Sequence, residues 1–221
     1  MGYHRAGFEI LGVDINPQPN YPFKFVQIDA IGFLQGLWPE HGVVAVHASP
    51  PCQLHSQGTV AIDRSKYPDL VGPTRKALIR SGLPYIIENV PRAPLIDPVT
   101  LCGASFGLLA TDDDGLSLVL KRHRLFETSF PLKGEDCDCK WFRDHNIRVG
   151  GVYGGGRRDK DEAKNIRHGG YCPRLEVQQN LMGIGWMNQT ELNQAIPPAY
   201  TEFIGKQLLS ALSGAAEEGA K

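Results

Sequence analysis

The segment VVAVHASPPCQ, residues 43–53, joins a run of small and β-branched apolar residues to a turn that begins with two prolines. The run predicts a buried strand, and the prolines end it because they cannot donate to a β-ladder. The turn therefore presents Cys52 at the carboxyl end of a strand. Its polar, proline-bound surroundings favour a reactive thiol, with a buried structural cysteine as the alternative.

Other apolar runs predict further strands, namely FEILGVDI (8–15), FKFVQIDA (23–30) and PYIIENV (84–90). The stretch 68–83 has helical spacing and ends near Gly82, which suits a helix stop. Strands that alternate with helices indicate an α/β fold with a mostly parallel sheet covered on both faces. The β-rich stretch 116–130 adds strands, with an antiparallel pair as one arrangement. Further helices are predicted at 173–186 and 197–212.

Groups suited to binding or chemistry come where the predicted strands end: Asp14, Asp29, the Cys52 turn and the pair Glu88 and Asn89. Ligands of parallel α/β sheets bind at the carboxyl edge, so these groups are expected to converge. Asp14 suits the hydroxyls of a ribose and Asp29 the adjacent base, which indicates a nucleoside-containing cofactor. Each residue taken alone is also explained as a turn or cap residue.

Composition indicates one sizeable domain. The chain has 221 residues, of which 42% are hydrophobic and 21% charged, and no run approaches the ~20 apolar residues of a membrane span. With no secretory signal at its start, the protein is expected to be cytoplasmic, without membrane partners and monomeric. Positive charge concentrates in residues 121–174, with 13 Lys and Arg against 8 Asp and Glu. That segment is either a footprint for phosphate or a solvated loop region.

The five cysteines are odd in number and irregularly spaced, which argues against a disulfide framework. Cys137, Cys139 and Cys172, with His145 or His168, are candidates for a zinc site that staples a Gly-rich insert. The Cys-x-Cys spacing is atypical for zinc, and free thiols without metal are the favoured alternative. The predicted segments are a core (1–130), a loop-rich insert (131–173), completing helices (174–212) and a disordered tail (213–221).

The motifs SPPCQ (49–53), ENV (88–90) and KRHRLF (121–126) occur in the order used by the DNA (cytosine-5) methyltransferases, and the chain resembles that family. The resemblance runs from AGFEILGVDINP (6–17) to ELNQAIPPAYTEFIG (191–205) and excludes 131–173. It implies a Rossmann-like methyltransferase sheet with a reduced target-recognition insert, as in compact phage-type enzymes. It also implies double-stranded DNA as partner, base flipping and a role in restriction-modification.

The resemblance implies a role for each motif residue. Cys52 would attack C6 of cytosine, Glu88 would bind or protonate N3, and Asn89 would hold the Cys52 loop. Arg124, in a unit with Arg122, would contact the cytosine. The cofactor would be S-adenosylmethionine, with Asp14 on its ribose and Asp29 on its adenine. The full set of implied cofactor-binding residues is Asp14, Ile15, Asp29, Ala30, Pro51 and Asn193, with the segment Pro197–Pro198 closing the site.

The sequence departs from the family at its start. The family's first strand and its Phe-x-Gly-x-Gly-Gly loop have no counterpart before MGYHRAGF (1–8), so a central strand and the main contacts to the methionine end of the cofactor are expected to be missing. A catalytically silent DNA-binding relative is therefore the alternative to an active enzyme. A third possibility keeps the chemistry and uses RNA.

Overall fold

A computed structural model describes residues 1–36, 38–56, 66–137, 139–145, 147–153 and 171–219. The fold is mixed α/β. The strands are β1 Leu11–Asp14, β2 Lys24–Gln27, β3 Val46–Ala48, β4 Tyr85–Asn89, β5 Val99–Leu101, β6 Leu109–Thr111, β7 Ser117–Leu120, β8 Arg124–Thr128 and β9 Arg148–Gly150. The α-helices are α1 Gly2–Arg5, α2 Ala30–Gly36, α3 Val71–Ser81, α4 Cys139–Asp144, α5 Leu175–Met182, α6 Gln189–Gln194 and α7 Pro198–Gly219; 3-10 helices span Trp38–His41 and Gly103–Phe106.

The chain forms two compact units that interleave along the sequence. The Cys52 unit comprises Glu9–Thr100, Arg124–Gly134 and Gln207–Lys221, and the Cys102 unit comprises Met1–Phe8, Leu101–His123 and Glu135–Lys206. These units do not follow the boundaries predicted at 130 and 173. Residues 154–170 of the predicted insert lie outside the described residues.

The Cys52 unit contains two sheets. β1 and β2 form a parallel pair, while β3, β4, β8 and β5 form a four-stranded sheet in that order. Within the latter β3 is parallel to β4, and β4 is antiparallel to β8. Leu34 of α2, Leu78 of α3 and Ile87 of β4 share one buried cluster, so both helices cover this sheet. α3 ends at Gly82, which adopts φ 71°, a conformation that glycine reaches without strain.

The Cys102 unit is built on a three-stranded sheet of order β6-β7-β9. β6 is antiparallel to β7, and β7 is parallel to β9. Its main core packs Leu118 and Leu120 of β7 against Leu181 and Met182 of α5. α1 lies on α7, where side chains of α1 and its following turn leave Gly205 no room for a Cβ atom.

The four strands predicted in the first 90 residues are all present, and so are the helices predicted at 68–83, 173–186 and 197–212. The expectation of a mostly parallel sheet is wrong, because β8 joins β4 in antiparallel orientation. The two strands in 116–130 do not pair with each other, since β7 and β8 belong to different sheets. α7 continues to Gly219, past the predicted end at 212, because Ala and Glu at 215–218 are good helix formers that extend an existing helix. Among the described residues, no helix has both the length and the apolar character that crossing a bilayer demands.

Candidate functional site

The Cys52 turn is tied to the end of β4 by one buried side chain. Asn89, which is 1% exposed, donates from Nδ2 to the carbonyl oxygen of Pro50 at 2.9 Å. The turn itself closes with the amide of His55 donating to the Cys52 carbonyl at 3.0 Å. Pro50 is buried, Pro51 is exposed, and Cys52 is a half-buried free thiol. A side chain on β4 therefore fixes the backbone two residues before the thiol.

Glu88 precedes Asn89 on β4 and forms an ion pair with Arg124. The antiparallel register opposes Glu88 to Phe126 and Asn89 to Leu125, which brings the first residue of β8 beside the last residues of β4. Arg124 Nε lies 3.0 Å from Glu88 Oε1, and only 9% of the carboxylate side chain is exposed. A carboxylate removed from water in this way needs a cation or a hydrogen-bond donor, and Arg124 supplies one.

The Cys52 turn and the ion pair are therefore both attached to the carboxyl end of β4. Glu88 and Asn89 are adjacent residues, so the group that fixes the Cys52 turn and the group that pairs with Arg124 share one backbone segment. Successive side chains of a strand leave on opposite faces, which lets one reach Pro50 while the other meets Arg124.

His47 lies on β3, before the Cys52 turn, and the sequence analysis gave it no role. Burial lowers the pKa of His47 to about 4, so its imidazole is neutral at neutral pH. The ring contacts Ser49 Oγ from Nε2 at 3.2 Å and packs edge-on against Phe126, with ring centroids 6.3 Å apart. The imidazole is thus a packing group that joins β3 to β8.

Asp14 and Asp29 lie at the ends of adjacent parallel strands. The amide of Ile28 donates to the Asp14 carbonyl at 3.0 Å, which holds the two chain ends together. Asp14 Oδ1 accepts from the Asn16 amide at 2.8 Å, and Asp29 Oδ2 accepts from the Gly32 amide at 2.6 Å at the start of α2. Both carboxylates thus serve as turn and cap acceptors, the alternative that the sequence left open.

Next to these carboxylates lie two further predicted cofactor-binding residues. The Ile15 side chain is 64% exposed although it is large and apolar. Ala30 is exposed at the first position of α2. Carboxylates beside an exposed apolar side chain suit a nucleoside, whose hydroxyls need acceptors and whose base needs an apolar surface.

Arg122 and Asn193 belong to the Cys102 unit, apart in the chain division from the other predicted site residues. Arg122 is 3% exposed, and its guanidinium donates to the carbonyls of Val152, Asn193 and Ala195 at 3.0, 2.6 and 2.8 Å. This geometry supports a structural role for Arg122 instead of the predicted catalytic one. Asn193 accepts from Gln189 at its side chain, a contact within α6.

A scan against models of known protein families and a search of curated proteins both found no match. The family resemblance therefore rests on the quoted sequence motifs alone.

A second ion pair, which was not predicted from the sequence, joins β8 to helix α3. Arg75 of α3 holds Glu127 with two bonds of 2.7 Å, and the amide of Ile96 donates to the same carboxylate at 2.8 Å. Burial acts to raise the pKa of Glu127, but the hydrogen bonds from Arg75 and Ile96 outweigh it, so that the pKa is lowered. Pairing across 52 residues leaves no local pattern, which is why the sequence did not indicate it.

The structure assembles a different set of metal-ligating groups from the predicted one. Cys102, His123, Cys137 and Cys139 form a thiol cluster in which the ligand atoms all lie within 4.8 Å of one another. Among the described residues, Cys172 is not part of this cluster: its Sγ lies 3.8 Å from the Tyr153 carbonyl oxygen. His145 stacks on Trp141, and His168 is outside the described residues.

Burial shifts the pKa values of the groups in the thiol cluster. It raises the pKa values of Cys102 and Cys139. Burial also acts to raise the pKa of Cys137, but hydrogen bonds from Cys139 and Cys102 lower it overall. The pKa of His123 is lowered by burial and by the charge of Lys121, which leaves a neutral imidazole.

Proposed function

We propose that this chain is an S-adenosylmethionine-dependent DNA (cytosine-5) methyltransferase in which Cys52 is the nucleophile. The observation that carries the proposal is the hydrogen bond from Asn89 to Pro50. It joins the thiol turn to the strand end where Glu88 is paired with Arg124. A nucleophile, a carboxylate and a guanidinium at one strand end match the chemistry of activating a pyrimidine.

The reaction begins at the pyrimidine ring. Cys52 Sγ would attack C6 of the cytosine as a thiolate, forming a C–S bond and pushing an electron pair towards N3. Glu88 would hold a proton at N3, and Arg124 would offset the charge that develops on the ring. Once C5 has received its methyl group, loss of the C5 proton to a water molecule and cleavage of the C–S bond would restore the C5–C6 double bond and free the thiolate. The base must leave the duplex stack to reach a half-buried thiol.

S-adenosylmethionine, when bound, would supply the electrophilic methyl group that C5 receives and would leave as S-adenosylhomocysteine. The residues at the ends of β1 and β2 fit its nucleoside portion: Asp14 and Asp29 offer carboxylate oxygens, and Ile15 offers an exposed apolar surface. A Rossmann-like methyltransferase sheet is the finer fold that this proposal entails.

A second candidate is a DNA-binding relative without catalytic activity. It is favoured by the sheet arrangement, since β1 and β2 form a sheet of their own and β3 begins another. One continuous sheet would align the cofactor edge at β1 with the thiol turn after β3. Among the described residues, no ladder hydrogen bond joins β1 or β2 to β3, so strand pairing does not fix this alignment.

Covalent trapping tests the proposal. Duplex DNA that carries 5-fluorocytosine should form a stable adduct with the wild-type chain and cofactor, because fluorine at C5 blocks the release step. Cys52→Ser should form no adduct, whereas Cys172→Ala, which removes a buried thiol of the Cys102 unit, should still form one. Glu88→Gln should slow adduct formation by ~10²- to 10⁴-fold, as expected for the loss of proton transfer.

Two other measurements separate the candidates. The chain would be identified as an RNA methyltransferase if it bound the cofactor, formed no adduct with duplex DNA and transferred the methyl group to tRNA. DNA binding that weakens with salt, in a chain that does not bind cofactor, would favour the silent relative.

A further inference from the structure

We propose that Cys102, His123, Cys137 and Cys139 bind one structural zinc ion within the Cys102 unit. The four residues come from three separate parts of the chain: the start of the 3-10 helix Gly103–Phe106, the segment between β7 and β8, and the N-terminal end of α4. Convergence of three thiols and an imidazole from such distant positions is the arrangement of Cys3His zinc sites.

The ligand atoms lie close enough together to share one ion of this size. Cys102 Sγ lies 3.2 Å from Cys139 Sγ, His123 Nε2 lies 3.2 Å from Cys137 Sγ and 3.8 Å from Cys139 Sγ. A zinc ion with Zn–S bonds of about 2.3 Å separates its sulfur ligands by about 3.8 Å. The sulfurs are too far apart for a disulfide, whose S–S bond is about 2.05 Å, and all these cysteines are free.

The ligand types select zinc over other ions. Magnesium and calcium need oxygen ligands, whereas this cluster offers only sulfur and nitrogen. Iron–sulfur clusters are held by four thiolates as a rule, and one position here is an imidazole. Three soft thiolates with one imidazole are a structural zinc set with no position left for water.

The surroundings show why a metal is needed there. Cys137 is exposed and follows the exposed residues Glu135 and Asp136, in a stretch without helix or strand. Thiols are weak hydrogen-bond donors, so contacts among them contribute little to holding such a stretch. The adjoining core is small, with Ala104, Val119 and Phe142 packed around Cys102. A metal ion would supply the cross-link that apolar burial does not.

The test is metal analysis of the full chain purified under reducing conditions. We expect one zinc per chain, and cobalt exchanged into the site should give the intense thiolate-to-cobalt absorption of a tetrahedral centre. Cys139→Ser should weaken zinc binding by at least ~100-fold, since loss of a direct ligand exceeds the 10- to 100-fold effect of losing a ligand's partner. Cys172→Ser is the matched control and should retain the metal.

A second variant covers a failure of Cys139→Ser to fold. Cys137 is exposed, so Cys137→Ser should fold and still lose the metal. The proposal is overturned if the wild-type chain binds neither zinc nor cobalt, if a Cys102–Cys139 disulfide is found in place of metal, or if metal retention depends on Cys172. None of these readouts uses methyl transfer, so the result is independent of the proposed activity.

Discussion

The Cys52 turn and the thiol cluster both bring together reactive groups from distant parts of the chain. The structural elements that position these groups differ between the two regions. At the Cys52 turn, Glu88, Asn89 and Arg124 are placed by the hydrogen-bond register of β4 and β8. In the thiol cluster, Cys137 comes from an exposed stretch that no strand or helix holds. The hydrogen bonds between β4 and β8 are enough to position the polar groups at the Cys52 turn. The stretch that contains Cys137 has no such hydrogen-bond register and needs a cross-link, which the proposed metal ion would supply. The comparison predicts that the Cys52 unit is stabilised by its own buried pairs and does not depend on metal.

The largest expected effect is the loss of the Arg75–Glu127 pair. Arg75→Ala leaves the buried Glu127 carboxylate without its cation and should lower the free energy of unfolding by about 3–5 kcal/mol. Urea denaturation followed by circular dichroism measures this. Because the pKa of Glu127 is lowered, the contribution of the pair is complete above pH 4.5 and is lost as the pH falls through the folded-state pKa.

The control is Arg80→Ala, on the exposed face of the same helix, which should change the free energy of unfolding by less than ~0.5 kcal/mol. Repeating the measurement after chelation tests whether the stability of the Cys52 unit depends on metal. An Arg75→Ala effect that disappears when metal is removed would contradict the idea that strands alone hold the Cys52 unit.

His47 is expected to have a smaller effect, which is on how the free energy of unfolding depends on pH. Its pKa is about 4 in the folded chain and 6.5 in a model peptide, so between these values the unfolded state binds more protons and stability falls as the pH falls. The loss is at most about 3 kcal/mol between pH 7 and 4. His47→Gln should flatten this part of a stability-against-pH curve. The exposed His41→Gln is the control for loss of an imidazole and should change the free energy of unfolding at pH 7 by less than ~0.5 kcal/mol.

The smallest effect is expected in the Cys102 unit, at the start of α6. Asn188 Oδ1 accepts from the Glu191 amide at 3.1 Å, and Glu191 Oε2 accepts from the Asn188 amide at 2.9 Å. Asn188→Ala removes this capping box and should cost about 1 kcal/mol in a thermal unfolding experiment. Gln194→Ala, an exposed change at the other end of α6, should cost less. An equal loss from both variants would show that the cap contributes nothing.

Much of the fold could be predicted because local patterns encode it. The apolar runs before Asp14, Asp29, Cys52 and Glu88 each form a strand, and Gly82 ends α3 as its type suggests. β5, β6 and β9 were missed, since each has three residues and none of them lies in an apolar run as long as those that contain β1 to β4. α6 is an exception, because the spacing of Asn188 and Glu191 is a capping-box signal that was present in the sequence.

Strands β1 to β4 and the order of the motifs that define the proposed function follow from the sequence alone, because strand formation and turn chemistry depend on neighbouring residues. Which cysteines lie together and what Arg122 binds could be read only from the folded chain. Cys102 lies beside Cys137 and Cys139, and the Arg122 guanidinium donates its hydrogen bonds to backbone carbonyls. Those partners are separated by at least 30 residues along the chain, and such contacts arise from packing, which no local pattern records.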